Sequence, residues 1–591
     1  MKKEQWFITT KRADFNALAS ELGISPILAR LIRNRDITDL PAMRRFLYGS
    51  LADLPDPHLL KDVLKGAGII RDKIEAGKKI RIISDYDVDG VSSNYILYLG
   101  LKRCGADVDY RIPDRVEDGY GINEHLIEQA YEDEIDTIIT CDNGIAAYNQ
   151  LAYGNEKEIT FVVTDHHDVP FEEVDGEKRE IIPPAAAVIN PKQADCPYPY
   201  KNICGAVVAW KFVQVLYSLF GYPMEETEAF LEMAALATVC DVMPLKDENR
   251  IIVKEGLARM QRTSIPGLRA LIDGNQLGGP IKGWHLGFIL GPCINASGRL
   301  STARLALDML LCKDPDKCAA MAQELITLNN ERKEMTRIGV EDALSWLEET
   351  GHADDKVLVI FLPECHESIA GIIAGRVKES YNKPTFVLTR TISGVKGSGR
   401  SIEAYHMYEE MTRVKECFDK YGGHPMAAGL SMQEDRIEEL RTKLNDNTSL
   451  TEKDFVEKVQ IDIALPIEVL SEPLLKEFDL LEPFGTDNPK PLFAQKDMVI
   501  AGVRELGKNG RVLKFFLRDS LGQSIEAVWF GEVSEFYQDV EDLVGARGLS
   551  FMKRGQPHQV IMDCTYYPQI NEWRGRRTIQ IVIKNYRLKV L

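Results

Sequence analysis

Apolar runs of strand length, closed by acids or histidines, recur through the first half of the chain. Lys78–Ile83 carries isoleucines at 80, 82 and 83 and runs into Ser84-Asp85-Tyr86-Asp87-Val88-Asp89-Gly90. Asp136–Thr140 leads to Cys141-Asp142-Asn143-Gly144, and Ile159–Val163 leads to Thr164-Asp165-His166-His167. Each reads as a buried strand ending in a turn. The more helical run Ala234–Val239 ends on Cys240-Asp241. Between these runs lie helical stretches such as Asn94–Arg103, so residues 61–312 are expected to form an α/β domain with a mainly parallel sheet. Ser92 or Ser93 is placed to cap that helix.

The remaining patterns divide the chain further. Residues 1–60 suggest two short amphipathic helices, Leu18–Gly23 and Ile27–Arg33, in an N-terminal helical extension. Residues 313–350 show apolar spacings of three and four and predict a connecting helix. Lys356–Leu362 opens a second, smaller α/β unit over 351–450. From 451 to 591 the pattern changes to short strands and turns. There Gly507–Phe530 reads as a hairpin turning near Leu521-Gly522, with Lys514, Phe516 and Arg518 on one side of its first strand and Phe515 and Leu517 on the other.

Composition narrows the class. The chain has 591 residues, too many for one core. It has no apolar signal core after Met-Lys-Lys and no run long enough for a membrane span. Eleven scattered cysteines without a Cys-x-x-Cys pair fit reduced thiols in a cytoplasmic protein. A net charge of −18 argues against nucleic acid only in total, because a phosphate backbone responds to local charge. Residues 501–591 hold 14 Lys/Arg against 10 Asp/Glu, so this segment is basic within an acidic chain, and Trp573 with Arg574–Arg577 adds to it. Basic and aromatic residues interleaved on a small β-barrel are what single-stranded DNA requires.

The chemistry sits at the strand ends. Residues two apart on an extended chain share a side, so Asp85, Asp87 and Asp89 are expected to converge. Like charges crowded together repel, and hard divalent cations relieve that. In a parallel sheet the strand ends open on one crevice, where Asp142, His166 and His167 would join them. Such a set suits two cations about 3.5–4 Å apart. Further on, Gly291–Leu300 reads as a compact glycine-flanked loop bearing Arg299. Arg111–Gly121 places arginines beside a glycine-flanked tyrosine, either as an ordinary surface loop or as a substrate contact. Asn202 and Gly205 shape the turn that presents the next helix.

DYDVDG, CDNG, TDHH, the later Asp241 and Gly422-Gly423-His424 stand in the order of the DHH phosphoesterase superfamily. Within it, nearly everything from residue 60 onward resembles the RecJ family of single-strand-specific 5′→3′ DNA exonucleases. The resemblance implies a DHH domain and a DHHA1 domain joined by a long helix, followed by an OB-fold. It also implies metal-assisted phosphodiester hydrolysis in DNA repair and recombination. Asp87, Asp89, Asp142, His166 and Asp241 would ligate two Mn²⁺ or Mg²⁺ ions with Asp142 as the bridge, and Asp85 and His167 would be ligands or their partners. Ile83 stands where some superfamily members place a histidine. Arg299 is expected to hold substrate phosphate, Ser297 departing mildly from the family's NAAGR. His366, Arg376, Ser398, Arg400, Gly422, Gly423 and His424 are expected to clamp the nucleotide, with Cys365 where the family has tryptophan. Lys514, Phe516 and Arg518 would contact the strand. The implied partners are single-stranded DNA, single-strand-binding protein, and a helicase or other repair proteins, with a monomer and no membrane. Three alternatives share the scaffold: a small-nucleotide phosphodiesterase or oligoribonuclease, a pyrophosphatase, and a non-catalytic replication scaffold.

Overall fold

The computed structural model describes residues 4–114, 119, 121–174, 176–392, 394–507 and 510–591, without the side chain of Trp573. Arg115 and Tyr120 of the arginine–tyrosine loop, and the Trp573 ring, lie outside the described residues. The chain forms two compact units, one of residues 53–244 and 248–456, the other of 1–52, 245–247 and 457–591. No single helix among the described residues is long and apolar enough to cross a membrane.

The first unit contains an all-parallel sheet of β1 (Lys79–Ser84), β2 (Asp107–Arg111), β3 (Thr137–Cys141), β4 (Thr160–Thr164) and β5 (Ala187–Ile189), in the order β2-β1-β3-β4-β5. Ile82, Ile83, Ile138, Ile139, Val162 and Val163 are fully buried, as expected of strands covered on both faces. The register pairs Ser84 with Cys141 and Cys141 with Thr164. The next residue on each strand is an aspartate, so Asp85, Asp142 and Asp165 leave the sheet in one row.

Helix α1 (Val88–Arg103) follows β1 and begins six residues earlier than expected; Asp87 caps it, and Ser92 and Ser93 are buried within it. The α/β alternation ends near residue 190, and the rest of this domain is helical. It includes α2 (Gly205–Phe220) and the almost wholly buried α3 (Leu231–Cys240). The stretch expected to be a loop is helix, α4 (Gly291–Leu300), with Pro292 in its first turn and a π-helical turn, Leu286–Leu290, before it. The helical run is continuous through Leu290, and the π-helical turn there accommodates the amide that proline lacks. Helix α5 (Pro315–Thr350) is capped by Asp314, whose carboxylate accepts from the amide of Asp316 at 3.0 Å. At 1.5 Å per residue it is about 54 Å long.

A second sheet comprises β6 (Leu358–Phe361), β7 (Thr385–Thr391), β8 (Gly394–Arg400), β9 (Lys420–Gly423) and β10 (Ala427–Met432), in the order β9-β10-β8-β7-β6. Only β6 and β7 run parallel, and helix α6 (Ala370–Tyr381) connects them.

The other unit is built on a six-stranded sheet, five strands of which close into a barrel. Phe493–Leu506 pairs with both Val512–Arg518 and Val560–Trp573, which closes it. Its strands reach 15 residues, longer than the short strands expected, and the helix Val533–Lys553 plugs it with Phe536, 5.1 Å from Phe515. Residues 1–52 are not a separate extension. Strand Glu4–Ile8 pairs with Glu457–Ile461, and Leu28, Leu31, Ile32 and Met43 share one core with Phe478 and Phe493. Residues 53–60 belong to the first unit.

Candidate metal centre

The three acids of the first turn converge by a route other than extended-chain alternation. The strand stops at Ser84, and the chain winds into α1 so that Asp87 caps the helix and Asp89 stands in its first turn. One carboxylate oxygen of Asp87 accepts from the amides of Asp89 at 2.8 Å and Gly90 at 3.1 Å. Asp89 is buried and points to the start of α2, where its oxygens accept from the amides of Gly205 at 2.6 Å and Ala206 at 2.7 Å. A helix N-terminus stabilises such a carboxylate. Gly205 also packs on Asp142, and a Cβ there would lie 2.8 Å from the Asp142 Cβ.

Asp142 has a φ of 59°, a left-handed conformation that aspartate tolerates better than most residues. It faces His166, whose Nε2 lies 3.1 Å from Asp142 Oδ1, 3.5 Å from Asp89 Oδ2 and 3.6 Å from Asp241 Oδ2. Asp241 reaches this point as the residue that ends α3. Among the described residues, three groups each bring their candidate ligand atoms within 4.8 Å of one another: Asp142, His166 and His167; Asp89, His166 and Asp241; Asp85, Asp87 and Asp142. Asp142 is common to two of them, and His166 to two.

Asp165, to which the sequence alone assigns no role, supports both histidines. Its Oδ1 accepts from the amides of His166 and His167 and lies 2.8 Å from His167 Nδ1, and its Oδ2 accepts from the amide of Ile145. It therefore sets the His167 ring, as a carboxylate behind a ligand histidine does. The only available signal was its place before two histidines. Asn143, likewise unassigned, braces the turn by donating to the carbonyls of Ile83 and Cys141.

The electrostatics are those of crowded, buried carboxylates. Burial, and then Asp89 and Asp87, push the Asp142 carboxyl well above the usual range, and the same causes push Asp241 up to about 8. Burial and Asp89 also raise Asp87. Burial lowers His166, leaving the neutral imidazole a metal requires. Burial would lower His167 too, but its bond to Asp165 wins and raises it to about 9, while Asp165, against the effect of its own burial, is held to about 2. Among the described residues, neither ring nitrogen of His166 finds a hydrogen-bond partner despite its burial, and neither does Asp241 Oδ2. Buried polar atoms without partners are costly, and divalent cations would satisfy these. Carboxylates with imidazole suit Mn²⁺ and, more weakly, Mg²⁺.

A pH dependence follows. Asp241 rises from 3.8 in the unfolded chain to about 8, so between these values the unfolded chain holds fewer protons than the folded one. The metal-free protein therefore loses stability as pH rises through that window. His167 adds to the fall, since its raised pKa contributes stability at low pH that is lost as pH passes about 9. Thermal melts in EDTA across this range are expected to fall more steeply for the native protein than for Asp241→Asn. Parallel profiles would contradict the assignment.

The second sheet faces this turn across a cavity of about 290 Å³ lined by Tyr86, Glu367, Ser368, Lys396 and Ser398. Arg299 crosses towards it, donating to the carbonyl of Ser368 at 2.6 Å. Arg400 lies against the start of α6, where a Cβ on Gly371 would approach its Nη2 to 2.8 Å. Gly422 and Gly423 lie on β9, and His424 is near enough to help Lys192 hold the Asp168 carboxyl below its usual range. Two expected contacts lie elsewhere. Arg376 pairs with Glu379 at 3.2 Å on the exposed side of α6, and His366 lines a different cavity behind the turn. In the barrel, Phe516 is 43% exposed beside Arg518, while Lys514 pairs with Glu526 at 2.9 Å.

Comparison with known proteins agrees with this geometry. Residues 79–238 match the DHH family, N-terminal domain, residues 354–449 the DHHA1 domain, and residues 461–585 the RecJ OB domain. The chain is 32% identical over 593 residues to the single-stranded-DNA-specific exonuclease RecJ of Bacillus subtilis, covering 99% of this chain and 71% of that protein. It is 30% identical over 613 residues to the Escherichia coli protein of the same name, covering 99% of each. Its fold matches the crystal structure of RecJ in complex with Mn²⁺ from Thermus thermophilus with a TM-score of 0.81 at 27% identity, covering 99% of this chain and 80% of that one. With all three domain matches in order and relatives aligned almost end to end, the chain belongs to the RecJ family.

Proposed function

We propose that this protein is a metal-dependent exonuclease that hydrolyses single-stranded DNA from its 5′ end, in the service of DNA repair and recombination. The observation that carries the reading is the convergence of Asp87, Asp89, Asp142, His166 and Asp241 within one buried cluster. These five would hold two divalent cations, Mn²⁺ or Mg²⁺, with Asp142 between them. Asp85 and His167 complete the ring, His167 positioned by Asp165. Cations held there supply Lewis acidity, offsetting phosphate charge and making water nucleophilic at neutral pH.

The chain's own groups do the rest. Asp89 and Asp87 are fixed by backbone amides, so they present their charge without rearrangement. Ser398 lines the facing cleft and Arg299 bonds to its Ser368, and these two with Arg400 and His424 would hold a terminal phosphate, which guanidinium forks and a hydroxyl suit. The barrel supplies exposed Phe516 and Arg518 for a strand's bases and phosphates. A barrel of this kind has no use in a dinucleotide phosphodiesterase or a pyrophosphatase, which favours the long substrate.

The test uses DNA and RNA single strands labelled at either end, with a matched duplex, in Mn²⁺ and in EDTA. Mononucleotide release from the 5′ end of single-stranded DNA, dependent on metal, is the expected result. Cleavage of dinucleotides alone, with long DNA untouched, would replace the proposal with the small-nucleotide reading.

A further inference from the structure

Behind the turn that carries Ser368 lies a second and larger cavity, of about 640 Å³, which the chemistry above does not use. Its floor is the face of α5 bearing Met335, Ile338 and Trp346, and its far wall is Phe361 and Leu362 at the end of β6. Ile338 is 44% exposed although it stands on the apolar face of a helix that packs both subdomains. Trp346 is held rigidly, stacked on His352 at 5.4 Å with Arg441 behind it at 5.1 Å. Arg441 is itself anchored on the carbonyl of Val359 at 2.9 Å. A cavity of this size with a fixed aromatic wall is ready to take an apolar anchor without reorganising.

Its charge selects the occupant. Asp342, Glu349 and Glu364 line it, and no lysine or arginine does. Among the described residues none of the three is in an ion pair, whereas Glu334 and Glu341 on the same helix as Asp342 and Glu349 are both matched by Arg337. Arg390, over Phe361 at 5.7 Å, reaches Glu364 but is itself paired with Glu434, so the lining stays acidic. Such carboxylates around an apolar floor repel a phosphate backbone and an acidic peptide alike, and attract a cation with an apolar body. From Met335 to Glu349 the helix offers a track of about 21 Å, long enough for several residues of a bound segment.

We propose that this cavity is a docking site for a short segment of a partner protein, one that carries an apolar anchor flanked by lysines or arginines. Its position gives the docking a consequence. His366 and Ile369 line this cavity, while Glu367 and Ser368 between them line the cleft facing the metal centre, and Ser368 receives Arg299. A single turn is thus the wall between the docked segment and the substrate cleft.

The probe is a fluorescein-labelled peptide in which leucines alternate with lysines and arginines, titrated with the full chain in EDTA and followed by anisotropy. Saturable binding is expected, weakened about tenfold or more by the combined substitutions Asp342→Asn, Glu349→Gln and Glu364→Gln. Ile338→Gln, at an exposed position where folding is not at risk, is expected to weaken it as well. Neutralising three other exposed acids that do not line the cavity, Glu172→Gln, Glu173→Gln and Glu225→Gln, should leave binding unchanged. A peptide with glutamates for its cations should not bind. Equal loss in both triple variants would mean a general response to an acidic chain and would overturn the proposal. Displacement of the peptide by single-stranded DNA would overturn it too, by making the cavity part of the strand's path. Neither readout depends on nuclease activity, so the outcome is separate from that of the functional assay.

Discussion

Replacing Asp142 by asparagine is expected to lower turnover on single-stranded DNA by about 10³ or more while leaving the fold intact. Asp142 is common to two of the three ligand groups and lies 3.1 Å from His166 Nε2, so its loss impairs both proposed cation positions at once. A factor of 10³ corresponds to about 4 kcal/mol of transition-state stabilisation, a modest demand on a carboxylate between two cations. Asparagine is the better test than alanine. At a φ of 59° alanine would add backbone strain of about 1 kcal/mol, whereas asparagine adopts that region readily. The metal-free variant should also melt no lower than the native protein. Burial and neighbouring acids oppose the charge at Asp142, and the neutral amide removes that opposition. Steady-state kinetics with melting curves in EDTA check both halves. Activity within about tenfold of native would rule out the bridging role.

Much of this centre was legible because strands that end in a parallel sheet must deliver their next residues to one crevice. The apolar runs ending at Ser84, Cys141 and Thr164 marked it. What the pattern did not convey was how Asp85, Asp87 and Asp89 meet. Alternation assumes extended chain, but the strand ends at Ser84 and helix geometry takes over, with Asp89 reaching α2 more than a hundred residues later. The role of Asp165 depends on its carboxylate folding back on the next two residues, which spacing does not encode. Two flanking glycines suggest a compact loop at Gly291–Leu300, where the structure has a helix. In the structure they allow close approach within a helix, a Cβ at Gly298 lying 2.8 Å from the Tyr86 carbonyl. The N-terminal helices gave no sign of their partner because it lies over four hundred residues away in the chain. His366 illustrates the same limit at short range, since sequence places it beside Ser368 but only the turn decides that the two face different cavities.

Gly90→Ala is expected to destabilise the protein by about 2–3 kcal/mol and to weaken Mn²⁺ binding, against what helix propensity alone would suggest. Gly90 lies in the first turn of α1, where glycine to alanine should otherwise gain up to about 1 kcal/mol. Space decides the sign. A Cβ at Gly90 would stand 2.2 Å from the carbonyl oxygen of Asp85, 2.5 Å from its carbon and 2.8 Å from its Cα. All three are backbone atoms of the turn that carries the acids proposed to hold metal, so no side chain can rotate away to make room. The turn must shift by about 1 Å to restore ordinary contact, taking Asp85 and Asp87 with it. A displacement of that size in a catalytic constellation costs about 10² in rate. Gly68→Ala is the matched control, for it lies within the helix Val63–Glu75 and its Cβ would meet nothing within 4 Å. That variant should be neutral or more stable by about 0.5–1 kcal/mol, with native metal binding. Denaturant melts and Mn²⁺ calorimetry on both variants separate the effects. If Gly90→Ala behaves as Gly68→Ala does, the close packing of α1 on the acidic turn is not what holds the ligands in place.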